Sequence, residues 1–340
     1  MEKDLISVIT PCYNTGKYIH NLLDSLLMQT YPKVEILAVD DGSTDDTAEV
    51  IKSYMSRFKE KGYQLTYIYQ KNAGQSVAVN NALKRVQGEF LVWPDSDDFY
   101  SSPEALEKLK RAFDQSGEDV SSVRCLYSYL DQDSLEFIDR QQLSEDSIKE
   151  NYFEDCIFDH KDWNLCPGGY MVRMKVLDEC IPNREIYTEH HAGQNWQLMA
   201  PLLYHYKCVT VMEYLYNTVI RRDSHSRGQY KTYEQLQQKF KSYENTVLAT
   251  LGNMPFMDDQ TRKDYIHAIK VKYSHIQLNL CMKFHKKREA IQMKNHIENS
   301  LHSRLTLEEK TDLLFCSFPA YYFIKKLPKK ISYRLKRMRK

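Results

Sequence analysis

Apolar positions in the first third of the chain fall into short unbroken runs. Each run is followed by a stretch in which they recur every three or four residues. Leu5 to Thr10 is one such run, and Val34 to Val39, Leu65 to Tyr69 and Phe90 to Trp93 are three more. Their length suits buried strands. After the first run comes the turn PCYNTGK, and then Tyr18, Leu22, Leu23, Leu26 and Leu27 sit at helical spacing. DDGSTDD ends the second run, with Ser43 or Thr44 as the expected cap of the next helix. Asp45 and Asp46 then fall in its first turn, at the positive end of the helix dipole. NAGQS opens a third helix that reaches about Val86 before Gly88 breaks it.

Strand–helix alternation of this kind predicts an α/β fold with parallel strands joined by right-handed crossovers. Ligands of such sheets collect beyond the carboxyl ends of the strands. PCYN, DDGSTD, NAGQ and DSDD each follow a strand, so the four loops are expected to line one crevice. The middle of the chain is less regular. Ser121 to Leu130 reads as a strand, and DRQQLSEDSIKEN as an exposed loop or short helix. CPGGYMVR places a Gly pair before another strand-like segment. A helix opens at Gly193, kinked or restarted at Pro201, and Val209 to Ile220 has strand character. From about Tyr230 the pattern is helical.

The chemistry concentrates in PDSDD. Asp95, Asp97 and Asp98 lie directly after a hydrophobic run, where like charges are costly unless a cation sits on them. Aspartates one residue apart on a loop suit Mg²⁺ or Mn²⁺, ions usually held by one or two carboxylates plus substrate phosphates. A helix N-cap by Asp98, Ser101 or Ser102 is the plainer alternative, and it accounts for one carboxylate rather than three. In the other loops, the carboxylates of DDGSTD can accept from a base N–H such as that of uracil. Tyr13 offers a ring to stack on a base, and Gly74 lets backbone pass close to a ligand.

Charge adds a second feature. The formal net charge is +1, but residues 325–340 carry nine Lys and Arg and no acid, and without them it is −8. An acidic body with a basic tail does not fit nucleic-acid binding. It fits a polybasic segment facing an anionic membrane surface. Phe318, Tyr321, Tyr322, Phe323 and Ile324 precede the basic run and supply apolar anchors. No stretch approaches the ~20 apolar residues of a membrane span. The eight cysteines are scattered without a CxxC pair, which reads as reduced thiols in a cytoplasmic protein on the inner face of the membrane.

ITPCYNTGKYI, SLLMQTYPKVEILAVDDGSTDDT, NAGQSVAVNNAL and GEFLVWPDSDD resemble the successive motifs of family-2 inverting glycosyltransferases with the GT-A fold. The resemblance covers residues 5 to about 115 nearly continuously. It implies a Rossmann-like, mostly parallel sheet flanked by helices, with a C-terminal helical extension. It also implies that Pro11, Tyr13, Asp40 and Asp41 contact the nucleoside of a UDP-sugar. Asp95 and Asp97 would serve ribose, phosphate and Mn²⁺ or Mg²⁺, with Asp97 the foremost metal ligand and Asp98 near the donor sugar. Many members carry an Arg where this chain has Val79, so that contact must come from elsewhere.

PGGYMVR, GQNWQLMAPLLYHYKC and YNTVIRRDSHSR resemble, less strongly, the acceptor half of bacterial enzymes that build capsular or other surface polysaccharides. Where many members hold an acid pair at a helix start, this chain has Gln194 and Asn195. Amides cannot take a proton, so Glu189, His190 and His191 become the candidate bases. Gln194 and Asn195 read as hydrogen-bonding groups for sugar hydroxyls, and Trp196 as a stacking face or a core residue. Arg221, Arg222 and Arg227 are placed to balance a departing diphosphate, and His225 to complete a metal shell.

The organisation expected is a catalytic domain over 1–228, its donor half 1–115 and acceptor half 116–228. A helical module follows over 229–316, for packing, acceptor docking or homodimer formation, and then a basic tail over 317–340. The function expected is transfer of a sugar to a glycan or lipid-linked acceptor. A sugar nucleotidyltransferase, or a non-catalytic relative acting in membrane assembly, are the alternatives.

Overall fold

The protein is described here from a computed structural model that places residues 1–143, 148–160, 163, 166–189, 192–221 and 230–316. The chain divides into two compact units, Met1–Gln229 with Asn245–Asp258, and Tyr230–Glu244 with the residues from Asp259 onward.

The first unit is built on a mixed sheet in the order β3-β2-β1-β4-β8-β6-β9-β5, with β7 paired to β6. Its first half is the alternation visible in the sequence: β1 (Glu2–Cys12), α1 (Gly16–Leu27), β2 (Val34–Asp40), α2 (Thr47–Ser53), α3 (Met55–Lys61), β3 (Gln64–Tyr69), α4 (Gln75–Leu83) and β4 (Gly88–Val92). Every residue of β2 is buried, as expected of an inner strand covered on both faces. α1 lays Ile19, Leu22, Leu23 and Leu26, all fully buried, onto the sheet. Each contributes roughly 1.5–3 kcal/mol. β1, β2, β3 and β4 are mutually parallel, with Cys12 opposite Asp40 and Asp40 opposite Tyr69. Their carboxyl ends therefore share one rim.

The second half closes the sheet differently. It comprises β5 (Phe99–Tyr100), α5 (Ala105–Asp114), β6 (Val120–Asp131), β7 (Phe137–Arg140), α6 (Phe153–Ile157), β8 (Tyr170–Arg173), α7 (Met174–Cys180), α8 (Gln194–His205) and β9 (Lys207–Ile220). β8 enters antiparallel between β4 and β6, and β9 runs parallel to β6. β5 is two residues long and pairs with Asn217 and Tyr216 of β9. That short ladder brings the end of β9 beside the loop after β4.

Several expectations are corrected. DRQQ does not begin a loop, because Asp139 and Arg140 finish β7. The exposed face of that strand hides it from a burial pattern. α8 runs from Gln194 to His205 with Pro201 inside it rather than restarting there. α4 ends at Leu83 and continues only as a turn to Val86. In the second unit the helices are α9 (Tyr233–Asn253, its second half belonging to the first unit), α10 (Asp259–Lys283), α11 (Lys287–Asn295) and α12 (Leu307–Phe315). All eight cysteines are buried free thiols. Among the described residues no helix is long and apolar enough to cross a membrane.

One buried carboxylate holds the amino end of the sheet. Glu35, 5% exposed, accepts from Ser7 Oγ at 2.5 Å, the Gln87 N–H at 2.7 Å and the Gly88 N–H at 3.2 Å. Glu35→Ala takes the acceptor from the Gln87 N–H and Ser7 Oγ, while the Gly88 N–H keeps Ser7 Oγ at 2.9 Å, so a loss of about 2–4 kcal/mol is expected in urea denaturation.

Candidate active site

The four loops at the carboxyl rim are sewn to one another by side chains. The Asn14 N–H donates to Ser43 Oγ (3.0 Å), and the Thr44 N–H to Asn14 Oδ1 (2.8 Å). Asp45 accepts from the Gly16 and Thr47 N–H groups at 3.0 and 3.1 Å, and from Thr47 Oγ1 at 2.5 Å. Partial burial raises the pKa of Asp45, yet these bonds outweigh it and hold the carboxyl below its ordinary range. Asp45 is thus the residue that serves the start of α2. The expected caps fall elsewhere: Ser43 is occupied by Asn14, and Thr44 donates to it.

Asp41 ties the second loop to the third. Its Oδ1 accepts from Gln70 Nε2 and the Ala73 N–H, each at 2.8 Å, and its Oδ2 from the Gly74 N–H at 2.9 Å. Gly74 has φ +96° and Gly42 φ +75°, conformations that favour glycine. A Cβ on Gly42 would also meet the Asn72 nitrogen at 2.7 Å. Asp40, 1% exposed, accepts from the Ser43 N–H and from Tyr67 Oη at 2.6 Å. Pro11 lies half-buried in β1 opposite Val39, while Tyr13 is 45% exposed on the rim. Val79, by contrast, is buried in the core.

The fourth loop carries the carboxylates. Gln75 Nε2 donates to Asp95 Oδ1 at 3.2 Å, joining the third loop to it. Asp98 is buried, and its Oδ1 accepts from the Val219 N–H of β9 at 2.8 Å. It is therefore not a helix cap. Ser102 Oγ accepts from the Glu104 N–H just ahead of α5, a turn contact, and no side chain caps that helix. Asp97 Oδ2 pairs with Arg221 Nη1 at 3.1 Å, and the Arg221 guanidinium lies over the Tyr18 ring, 4.6 Å from its centroid. Burial, and then the Asp97 charge, push Asp95 up to about 7 against the bond from Gln75. Burial and the charges of Asp97 and Asp95 also raise Asp98 well above the carboxylate range, against the Val219 N–H. The effect reaches Cys166, whose buried thiol is raised by desolvation and by Asp98.

A second cluster holds the segment before α8. Asn80 brackets Ile186, donating to its carbonyl and accepting its N–H, both at 2.9 Å. Gln197 does the same for Tyr187, at 3.0 and 2.6 Å. Ser76 Oγ donates to the Ala192 carbonyl at 2.5 Å. Glu189 sits in this segment and accepts from Tyr187 Oη at 2.9 Å and Asn245 Nδ2 at 3.4 Å. Asn195, half-buried, accepts from Trp93 Nε1 through its Oδ1 at 3.1 Å, which ties the start of α8 to the loop after β4. Gln194, the first residue of α8, is 2% exposed. His190, His191, Arg222, His225 and Arg227 lie outside the described residues.

The rim thus unites Pro11, Tyr13, Asp40, Asp41, Gly74, Asp95, Asp97 and Asp98, with Glu189 on a segment tethered to α4. Sequence reasoning missed Gln75 and Asn80, whose partners lie 20 and 106 residues away, Gln197, which clamps the entrance of its own helix, and the contact of Asp45 with Gly16. Among the described residues no three His, Cys, Asp or Glu side chains converge as a complete metal cage. A cation on Asp95 and Asp97 needs further oxygens from elsewhere, such as a ligand's phosphates.

Comparison with known proteins places this rim in a family. The description "Glycosyl transferase family 2" matches residues 7–181, just over half of the chain. The chain belongs to glycosyl transferase family 2. This family-2 chain is 31% identical over 224 residues to the putative glycosyltransferase EpsH of Bacillus subtilis, covering 61% of the chain and 62% of EpsH. It is 38% identical over 120 residues to the poly(ribitol-phosphate) beta-N-acetylglucosaminyltransferase TarS of Staphylococcus aureus, covering 35% of the chain and 20% of TarS. It is therefore related to enzymes of surface-polysaccharide synthesis. The TarS 1–349 structure in complex with UDP-GlcNAc shares its fold, with a TM-score of 0.60 at 17% identity over 92% of this chain and 89% of that one. So does a mannosyltransferase from Pyrobaculum calidifontis in complex with GDP-Man and Mn²⁺, with a TM-score of 0.54 at 14% identity over 99% and 88%. The GT-A architecture expected from the motifs is thereby established. The chain spans 18% and 38% of the length of the first two curated relatives it matches.

Because Asp95 binds its proton more tightly folded than unfolded, it favours the folded state below the unfolded pKa. That contribution is lost as pH rises through about 7. In chelator, Asp95→Asn removes the loss. Its stability advantage over wild type should grow from pH 5 to pH 8, to on the order of 1 kcal/mol. A difference in melting temperature that stays constant with pH would contradict this.

Proposed function

We propose that the protein is a metal-dependent inverting glycosyltransferase that moves a sugar from a UDP-sugar to a hydroxyl of a glycan or lipid-linked acceptor. The observation that carries this reading is the carboxylate loop at the mouth of β4. Burial and the Asp97 charge raise the proton affinity of Asp95 and Asp98, and among the described residues Arg221 is the one cationic side chain paired with the three. Such an all-oxygen donor set fits Mg²⁺ or Mn²⁺. Bound by Asp97 and Asp95, with His225 from outside the described residues as a further ligand, the ion would supply positive charge against a leaving diphosphate.

The chain's own groups do the rest. Tyr13, Pro11, Asp40 and Asp41 form the nucleoside end of the rim, and Gly74 opens its backbone to the phosphates. The acceptor oxygen attacks the anomeric carbon as the bond to the diphosphate oxygen breaks, and its proton passes to a base. Glu189 and His191 are the candidates for that base, and Asp98 faces the donor sugar. Arg221 and Arg222 offset the charge that develops on the diphosphate. Residues 317–340 hold the protein at an anionic membrane surface, where a lipid-linked acceptor would lie. TarS, which binds UDP-GlcNAc, supports the choice of a UDP donor, and the Pyrobaculum enzyme's Mn²⁺ supports the metal.

Asp97→Asn is expected to lower Mn²⁺-dependent UDP affinity at least tenfold in calorimetry, with an unchanged circular dichroism spectrum. Unaltered affinity would remove the metal reading. Turnover of UDP-sugars should release UDP, whereas pyrophosphate would indicate a nucleotidyltransferase. In the same assay Glu189→Gln should reduce kcat about 10²-fold or more with KM little changed, as loss of a general base requires. Wild-type kcat would pass the role to His191.

A further inference from the structure

The polarity of α12 is inverted. A surface helix ordinarily turns its apolar side inward and its charged side to water. In α12 the residues most deeply buried are Glu309, at 5% exposure, and Asp312, at 7%. Glu309 accepts from His275 Nδ1 at 2.8 Å and Asn279 Nδ2 at 3.2 Å, both on α10. It also closes a capping box with Thr306, which fixes the start of the helix and its rotation about its axis. The outer side carries Leu307 at 82% exposure and Leu314 at 74%, while Leu313 packs inward on the unit's core. Positions 307 and 314 are two turns apart on one helical face, flanked by the exposed Lys310 and Glu308. Leaving two leucines so open costs about 1.5–3 kcal/mol each relative to burial.

We infer that this outer stripe is an interfacial face that lies on an anionic bilayer. The sequence that follows decides the occupant. Residues 317–340 contain no acid, five apolar anchors between Phe318 and Ile324, and nine Lys and Arg from 325 onward. An apolar stripe continuous with a polybasic segment matches a surface that is oily below and negatively charged above. The protein thus meets the membrane through a folded helix, fixed to α10 by Glu309, as well as through the tail. This inference rests on the membrane reading of residues 317–340 and extends it to a rigid element, so the angle of approach is set by the fold of the second unit.

The test is flotation of the full chain with phosphatidylcholine vesicles, with and without phosphatidylglycerol. Wild type should float with the anionic vesicles. Leu307→Ser combined with Leu314→Ser should reduce partitioning about tenfold while preserving the thermal transition and dependence on anionic lipid. Deletion of residues 325–340 should abolish the anionic dependence. Wild-type flotation by the double-serine variant overturns the α12 contact and leaves the tail reading intact. Undiminished flotation by the deletion variant, or no flotation by wild type, overturns the tail reading and this inference with it. A wild-type dimer that the serine variant converts to monomer, with vesicle binding unchanged, makes the stripe a self-association face and also overturns it.

Discussion

Three carboxylates within four residues, at the end of a strand with no exposed face, repel one another, and the rim is arranged around that repulsion. Water cannot screen them well, because Asp98 is buried and Asp95 and Asp97 are half-buried. The protein answers in three ways. It donates hydrogen bonds to Asp95 and Asp98, it lays a guanidinium on Asp97, and it raises the proton affinity of Asp95 and Asp98. None of these supplies a second full positive charge. Under the proposed function, that uncompensated charge is what would favour a cation arriving with a ligand's phosphates.

The sheet explains why this charge sits where it can be used. Parallel pairing of β1, β2, β3 and β4 puts four loop starts on one edge. The two-residue ladder between β5 and β9 then folds the chain back, so that Val219 and Arg221 reach the carboxylates. The buried core of the sheet, from Ile6 and Val8 through Ile36 and Phe90 to Met171 and Tyr216, is continuous beneath both halves. The carboxylate loop is thus clamped from both sides by elements with little freedom to move.

The parallel half of the fold was legible because its strands are buried on both faces and read as uninterrupted apolar runs. The rim carboxylates were legible for the opposite reason, since charge next to such a run has no structural excuse. What escaped reading depends on partners far along the chain. Asn80 and Gln197 look like ordinary polar residues of amphipathic helices, yet each clamps the backbone of a segment distant in the fold or at the helix entrance. Asp45, rather than Ser43 or Thr44, serves α2 because Asn14 had already claimed those hydroxyls. The amide oxygen of Asn195 takes the Trp93 indole N–H, a partner 102 residues away in the chain. β7 escaped because all four of its residues are exposed and give no alternation. A side chain's local sequence shows what it offers, and the tertiary fold decides who takes the offer.

Asp41 illustrates how such commitments limit change. Its two oxygens already accept from Gln70, Ala73 and Gly74, and the left-handed backbone at Gly74 depends on that grip. Any replacement there first disturbs the architecture of the loops that it joins. Under the proposed function, Tyr13, exposed and outside the core, is the position where a substitution would change the nucleoside end of the rim without rebuilding its walls.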